Sequence, residues 1–328
     1  MAHGAGGKAS AALVDAVFVA AFGQPGATLN DAAELAAETG RVAFSTDAFV
    51  VSPRRFPGGS IGSLAVHGTV NDVAMVGAQP LWLSAAFVIE EGLAIDELKA
   101  IVADMADAAR AAGVTIVTGD TKVVDRGAAD GVFITTAGIG VLPEHRHLGA
   151  ELVQPGDVVI VSGTIADHGM AVMLARGDLA IEADIASDTA PLNGLVARLL
   201  DAAPATRWLR DPTRGGLATV CNELAADSDL CLTLDEAAIP VRPATAAACD
   251  LLGIDPLYVA NEGKLVAIVA PDEADAALRA LRADPLGADA AIIGEVVAEP
   301  AGLVVLRTSV GSTRIVDTLV GAPLPRIC

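Results

Sequence analysis

The sequence predicts an α+β protein of two lobes, each a mixed sheet with helices packed on one side, followed by a flexible C-terminal tail. Three observations carry that expectation. The 328 residues exceed one ordinary compact core and suit two domains of roughly 150 residues each. Hydrophobic residues make up 53% of the chain, with 33 glycines and 3% aromatics, so the cores must be Ala, Val, Leu and Ile packed closely through small side chains. Apolar positions switch repeatedly between helical and strand spacing, which interleaves the two element types.

After a glycine-rich start, Leu13, Val14, Val17, Phe18 and Ala21 predict an amphipathic helix over 9–22. A strand is expected over Val42–Val51, a helix over Ile61–Val76 and a β-rich run over Leu81–Ile89. Ile95, Leu98, Ile101, Val102, Met105 and Ala109 share one helical face, and Gly113 stands where a C-terminal cap belongs. Val114–Val117 and Val132–Ile139 complete the first lobe, residues 1–154. The turn Gln154-Pro155-Gly156-Asp157 marks the boundary. The second lobe, 155–310, offers strands at Val158–Ser162, Leu230–Leu234, Leu265–Ala270, Ile292–Val297 and Leu303–Leu306. Its helices are expected over His168–Arg176, over Leu192–Leu200 and after Thr213. In the tail, 311–328, Pro323 and Pro325 hold the backbone extended and forbid a helix.

The formal net charge of -20 is spread without a basic run, which argues against a nucleic-acid partner and against docking to anionic lipid. No stretch approaches the roughly 20 apolar residues of a bilayer span, and the N-terminus lacks a secretory pattern, so a cytoplasmic protein is expected. Cys221, Cys231, Cys249 and Cys328 show no CxxC spacing. The first three read as buried thiols in a reducing compartment.

Four aspartates stand just beyond strands or at helix entries: Asp47 in FSTDAF, Asp72 in TVNDVA, Asp120 in TGDTK and Asp211 in RDPTRGG. Carboxylates gathered from several strand ends suit a Mg²⁺-nucleotide site, because Mg²⁺ takes hard oxygen ligands and bridges phosphates. Singly, each reads equally as a cap or turn residue. HGAGGK, His3 to Lys8, offers backbone N–H groups and a cation to phosphate but lacks P-loop spacing; Pro57-Gly58-Gly59-Ser60 reads equally as a strand-to-helix joint. Lys122 and Glu262 can move protons once burial shifts them, and structural ion pairing is the alternative for each. Cys328, on an extended tail, is a nucleophile able to enter one site or visit another. His145 and His147 read as a solvated loop, and His67 and His168 as polar packing residues.

Together HGAGGK, FSTDAFVVSP, PGGSIG, GTVNDVAMVGA, VTGDTKVV, RDPTRGGLATV, ANEGKLVAIV, IIGEV and the terminal PRIC resemble, collinearly over almost the whole chain, the HypE family of nickel-iron hydrogenase maturation factors. The resemblance implies the aminoimidazole-ribonucleotide-synthetase-like fold, shared with selenophosphate synthetase and thiamine monophosphate kinase. It implies an ATP-dependent carbamoyl dehydratase: a carbamoyl group delivered by HypF to Cys328 is phosphorylated on oxygen, dehydrated to a thiocyanate and handed as cyanide to iron on HypC–HypD. By the same resemblance Asp47, Asp72, Asp120 and Asp211 hold Mg²⁺ and ATP phosphates, with Lys8, Asn71 and Thr121 at the nucleotide. Lys122 and Glu262 match positions that bind the modified cysteine and move its protons, and the N-terminal lobes form a homodimer. Two departures stand at the N-terminus: Ala5 where many relatives have Ser, and two residues where they carry a longer lead.

Two rival readings remain at this stage. A selenophosphate synthetase or purine-pathway enzyme keeps the fold, but the former usually carries a reactive Cys near its N-terminus, and no cysteine precedes Cys221 here. A non-enzymatic maturation scaffold would not need the acidic motifs.

Overall fold

The computed structural model describes residue 8 and residues 33–37, 40–177 and 183–319. The helix expected over 9–22 and Cys328 lie outside the described residues.

The first lobe starts with β1 (Ala33–Ala37) and β2 (Gly40–Phe49), then a small hairpin, β3 (Arg55–Phe56) and β4 (Gly59–Ser60). There follow α1 (Ile61–Met75), β5 (Gln79–Glu90), α2 (Ile95–Ala112), β6 (Thr115–Val124) and β7 (Val132–Leu142). The sheet order is β1-β2-β7-β5-β6, antiparallel except for β5 with β6. Ser60 opens α1 with a capping box: the Ser63 N–H donates to Ser60 Oγ, and the Ser60 N–H donates to Ser63 Oγ at 2.9 Å. Gly113 closes α2 in the left-handed conformation at φ 71°, as its position predicts. One face of the sheet, through Leu83, Ala85 and Ile134, packs on Ile61, Leu64 and Val66 of α1 and on Ile101 and Met105 of α2. Because α1 is buried on nearly every side, its polar His67, Thr69 and Asn71 included, it carries little amphipathic contrast.

The second lobe runs β8 (Val158–Val161), α3 (Asp167–Ala175), α4 (Asn193–Ala202), β9 (Thr206–Arg210), α5 (Gly216–Ser228), β10 (Cys231–Asp235) and α6 (Pro243–Leu252). It continues with β11 (Val266–Val269), α7 (Ala274–Arg282), β12 (Ala291–Val297), β13 (Val304–Arg307) and β14 (Thr313–Ile315). Its sheet order is β14-β13-β10-β12-β8-β11-β9.

Where the sequence suggests helices on one side, this sheet is covered on both. Val159, Val161, Val266 and Ile268 point into a core with α5, whereas Ile160, Ala267 and Val269 point into another with α4 and α7. That is why β8 and β11 read as unbroken apolar runs rather than alternating ones. The tail also starts later than residue 311: β14 pairs with β13, and Val316 is fully buried in the α5-side core. A short polar strand, Thr-Arg-Ile, carries too little apolar alternation to announce itself. Likewise β6 continues through the polar TGDTK segment, because an edge strand with an exposed face needs no apolar pattern.

Candidate active site

On β2, Ser45 and Asp47 alternate toward the helix side of the first sheet, with Ala43 and Phe49. Asp47 Oδ2 accepts the Thr69 hydroxyl of α1 at 2.7 Å, and the neighbouring Asp72 Oδ2 accepts Ser45 Oγ at 2.7 Å. Thr69 Oγ1 lies 2.6 Å from the buried Thr136 Oγ1 of β7, which ties the helix to the sheet centre. Burial holds the Asp47 carboxyl above the ordinary aspartate range; bonds from Thr69 and Asp72 and the Arg214 guanidinium oppose the shift.

The second lobe brings its groups on two segments fastened to each other. Asn261 is fully buried, donating from Nδ2 to the Pro212 carbonyl at 2.8 Å and accepting the Ala166 N–H at 2.7 Å. Its own N–H also donates to Pro212 O at 3.1 Å. Beyond it, Gly215 and Gly216 take left-handed φ values of 78° and 62°, and a Cβ on Gly216 would stand 2.6 Å from the Leu257 and Val259 carbonyl oxygens. The turn carrying Asp211 and Arg214 is thereby pressed against the segment carrying Glu262.

Glu262 is 4% exposed, in irregular backbone between the lobes. Its N–H donates to Asp188 Oδ1 at 3.0 Å, and its carbonyl accepts Asn71 Nδ2 at 3.3 Å. Burial first, then the charges of Asp211, Asp188 and Asp47, push its carboxyl well above the ordinary glutamate range, with Arg214 opposing. A buried carboxyl held above its usual range among other carboxylates is the kind of environment general acid–base groups occupy.

Asn71 occupies the seam. Besides the Glu262 carbonyl, its Nδ2 reaches Ala190 O at 3.1 Å, and its Oδ1 accepts the Leu192 N–H at 2.7 Å. All of its bonding capacity in this structure that faces the seam is spent on backbone. Residues 183–192 thus form a strap across both lobes. Ser187 N–H donates to Pro57 O at 2.8 Å, and Thr189 Oγ1 pairs with His67 Nδ1 at 2.9 Å. At Gly58, with φ 88°, a Cβ would lie 2.5 Å from Ser187 O, so the PGGS segment exists to let the strap approach. Desolvation lowers His67 to about 4, a neutral packing residue as expected, and His168 bonds Ser187 Oγ at 2.8 Å.

Asp120, Thr121 and Lys122 stand elsewhere, exposed on edge strand β6. Asp120 shares a register row with Ala86 and Thr135, one step from the row of Ala85, Thr136 and Asp47, so its side chain points to the opposite face. Lys8 forms an exposed ion pair with Asp317 at 3.0 Å. His147 pairs with Glu151 at 2.6 Å in the exposed loop. Among the described residues, no three His, Cys, Asp or Glu side chains stand close enough to cage a metal by themselves. Mg²⁺ ordinarily keeps waters and phosphate oxygens alongside one or two carboxylates, and the oxygen donors of Asp47 and Asp211 are of the chemical kind such a cation takes. Sequence reasoning missed Asp188, Arg214 and Lys264. Arg214 stood in the RDPTRGG motif beside Asp211, whereas Asp188 lies in an aperiodic loop that carries no signal.

Two lobes meeting at a carboxylate-rich seam define a class. Residues 29–142 match the AIR synthase related protein, N-terminal domain, and residues 154–306 match the AIR synthase related protein, C-terminal domain. The carbamoyl dehydratase HypE of Bradyrhizobium diazoefficiens is 57% identical, over 100% of this chain and 95% of its own length. A solved HypE–HypF complex superposes with a TM-score of 0.89 at 48% identity, over 94% of this chain and 100% of the other. A HypE structure in complex with ATP superposes at 0.85 with 49% identity, covering 98% of each chain. This chain belongs to the carbamoyl dehydratase HypE family, within the AIR synthase related proteins.

Proposed function

We propose that this chain uses ATP to dehydrate an S-carboxamide on its last residue, Cys328, to a thiocyanate that supplies the cyanide ligand of iron in nickel-iron hydrogenase maturation. The observation that carries the reading is the convergence of Asp47, Asp211 and Glu262 at the seam between the lobes, with Glu262 biased toward holding a proton. An amide oxygen is a poor leaving group; phosphorylation makes it a good one, and removing the nitrogen protons then expels phosphate. Asp47, Asp72 and Asp211 would hold Mg²⁺, which when bound neutralises phosphate charge. Glu262 takes a proton from the amide nitrogen, and Arg214 offers a cation to phosphate oxygens.

Asp120, Thr121 and Lys122 need another route to this site. A homodimer through the first lobes supplies one, since the outer face of that sheet exposes Phe44, Ile139 and Trp82 in one cross-strand row. In that assembly Asp120 adds a metal ligand, Thr121 a nucleotide contact and Lys122 a proton-handling contact to the tail. Lys8 leaves Asp317 for the nucleotide. HypF delivers the carbamoyl group and a HypC–HypD complex receives the cyanide. The proposed site of action is the cytoplasm; no helix among the described residues is long and apolar enough to cross a membrane.

Intact mass analysis after incubation with HypF, carbamoyl phosphate and ATP tests the reading. A carboxamide adduct that loses one water only with ATP is expected, and Cys328→Ala should show neither change. Dehydration that proceeds without ATP, or an adduct on another residue, would defeat it.

A further inference from the structure

Glu262 lies in no helix or strand, so nothing in the regular hydrogen-bond ladders fixes it. Its backbone is held by side chains from two other segments, the N–H by Asp188 and the carbonyl by Asn71. Asp188 is the more unusual of the two. Its side chain is 3% exposed, and its second oxygen, Oδ2, faces Lys264 Nζ at 3.3 Å, itself 10% exposed. Lys264 also donates to the Gly263 carbonyl at 3.1 Å. A Cβ on Gly263 would fall inside the Asp188 carbonyl oxygen, so the NEGK segment and the strap run in direct backbone contact there. Burying a carboxylate and an ammonium costs several kcal/mol of desolvation, and such a pair is a poor device for stability alone. It is a good device for fixing a geometry.

We propose that Asp188 is a positioning residue for the reaction: its buried carboxylate, neutralised by Lys264, pins the Glu262 peptide so that the Glu262 side chain meets the carbamoylated tail at a set place. This rests on the role of Glu262 given above. The strap also carries Ser187, Thr189, Ala190 and Leu192, all bonded to the first lobe. Asp188 therefore transmits the position of that lobe, with Asp47 and Asp72, to the acid in the other. Displacing a catalytic group by about 1 Å costs on the order of 100-fold in rate, which sets the scale of the effect.

The test is single-turnover dehydration of the full-length, HypF-carbamoylated protein, followed by intact mass at saturating ATP. Asp188→Ala should slow water loss by about 10- to 100-fold with ATP affinity unchanged. Asp188→Asn, which keeps an acceptor for the Glu262 N–H, should recover most of the rate. In a Glu262→Gln background, Asp188→Ala should cost nothing more, because a residue acting through Glu262 has nothing left to position. Full additivity of the two substitutions overturns the proposal, as does a Glu262→Gln-independent loss in Asp188→Asn should the alanine variant not fold. Wild-type protein that fails to lose water overturns the underlying reading instead, which separates the two failures.

Discussion

Replacing Asn71 by Ala separates a nucleotide ligand from a clamp between lobes. Three buried backbone groups lose their partner: the Ala190 and Glu262 carbonyls and the Leu192 N–H. An orphaned buried polar group costs about 1–3 kcal/mol. Two of the three are carbonyls, which tolerate loss better than an N–H because they carry a second lone pair, so the sum falls at about 3–5 kcal/mol. Unfolding entropy of about 2.1 cal/mol/K per residue, taken over the whole chain, amounts to about 0.7 kcal/mol/K. The melting temperature should therefore fall by about 4–7 °C, read by differential scanning calorimetry. ATP affinity, measured by isothermal titration on the same sample, should change by less than about threefold, a difference of under about 0.7 kcal/mol. Asn71→Asp should fare no better than Ala, since it keeps the acceptor for Leu192 but turns a carboxylate toward two carbonyl oxygens. A variant that melts with the wild type yet no longer binds ATP would refute the reasoning and return Asn71 to the nucleotide.

Further outcomes follow from the same seam. Glu262 holds its proton more tightly folded than unfolded, so its contribution to stability is present in acid and is lost as pH rises from about 4.3 through its raised folded value; Glu262→Gln should flatten that decline and melt higher than wild type at neutral pH, and a lower melting point there would contradict the assignment. Arg214→Ala removes a cation that opposes the upward shifts of Glu262 and Asp47, and should weaken ATP binding about tenfold, measured by titration; unchanged affinity would remove Arg214 from the phosphate site. Cys221, Cys231 and Cys249 are buried, with burial pushing Cys221 up to about 12 and Cys249 to about 11. Native alkylation with iodoacetamide should then place its first adduct on Cys328, located by peptide mass, and early labelling of Cys221 would count against that core.

Most elements were legible because their residues carry a period. The helix α2 and its Gly113 cap appear as read, with Ile101, Met105 and Ala109 of its stripe buried but Ile95 and Val102 exposed, and β7 stands over the strand expected at Val132–Ile139. Of what escaped, α7 is amphipathic, with Ala274, Ala277 and Leu281 on its buried face, whereas two other elements lack such contrast. The helix α6 is an alanine-rich run opened by Pro243, where small side chains draw no stripe, and β9 follows the turn at Pro204 with arginines at two of its five positions. At the site, Asp47, Asp72 and Asp211 were visible because each sits in a short polar motif between apolar runs. Asp188 was not, since a strap that spans lobes is shaped by tertiary contacts and leaves no local pattern. Asp120 and Lys122 show the converse: a motif marks them as chemical, yet side-chain alternation puts Asp120 on the opposite face from Asp47 in one chain.

That division has a physical consequence for how the seam works. Asp211, Asp188 and Asp47 each oppose ionisation of the buried Glu262, so a charged Glu262 costs stability unless a cation or a proton intervenes. The first lobe contributes Asp47 and Asp72 on rigid elements, while the second contributes Asp211 and Glu262 on turns fixed by Asn261 and Asp188. The strap bonded to both lobes keeps the two halves in register. On the function proposed above, a cation held beside Asp47 and Asp211 would offset that cost. Such a cation would also draw the Glu262 carboxyl back toward its ordinary range, as its proposed role as a base requires. On that proposal, assembly of the site and activation of the base would be coupled through the same charge, with the strap holding the lobes together.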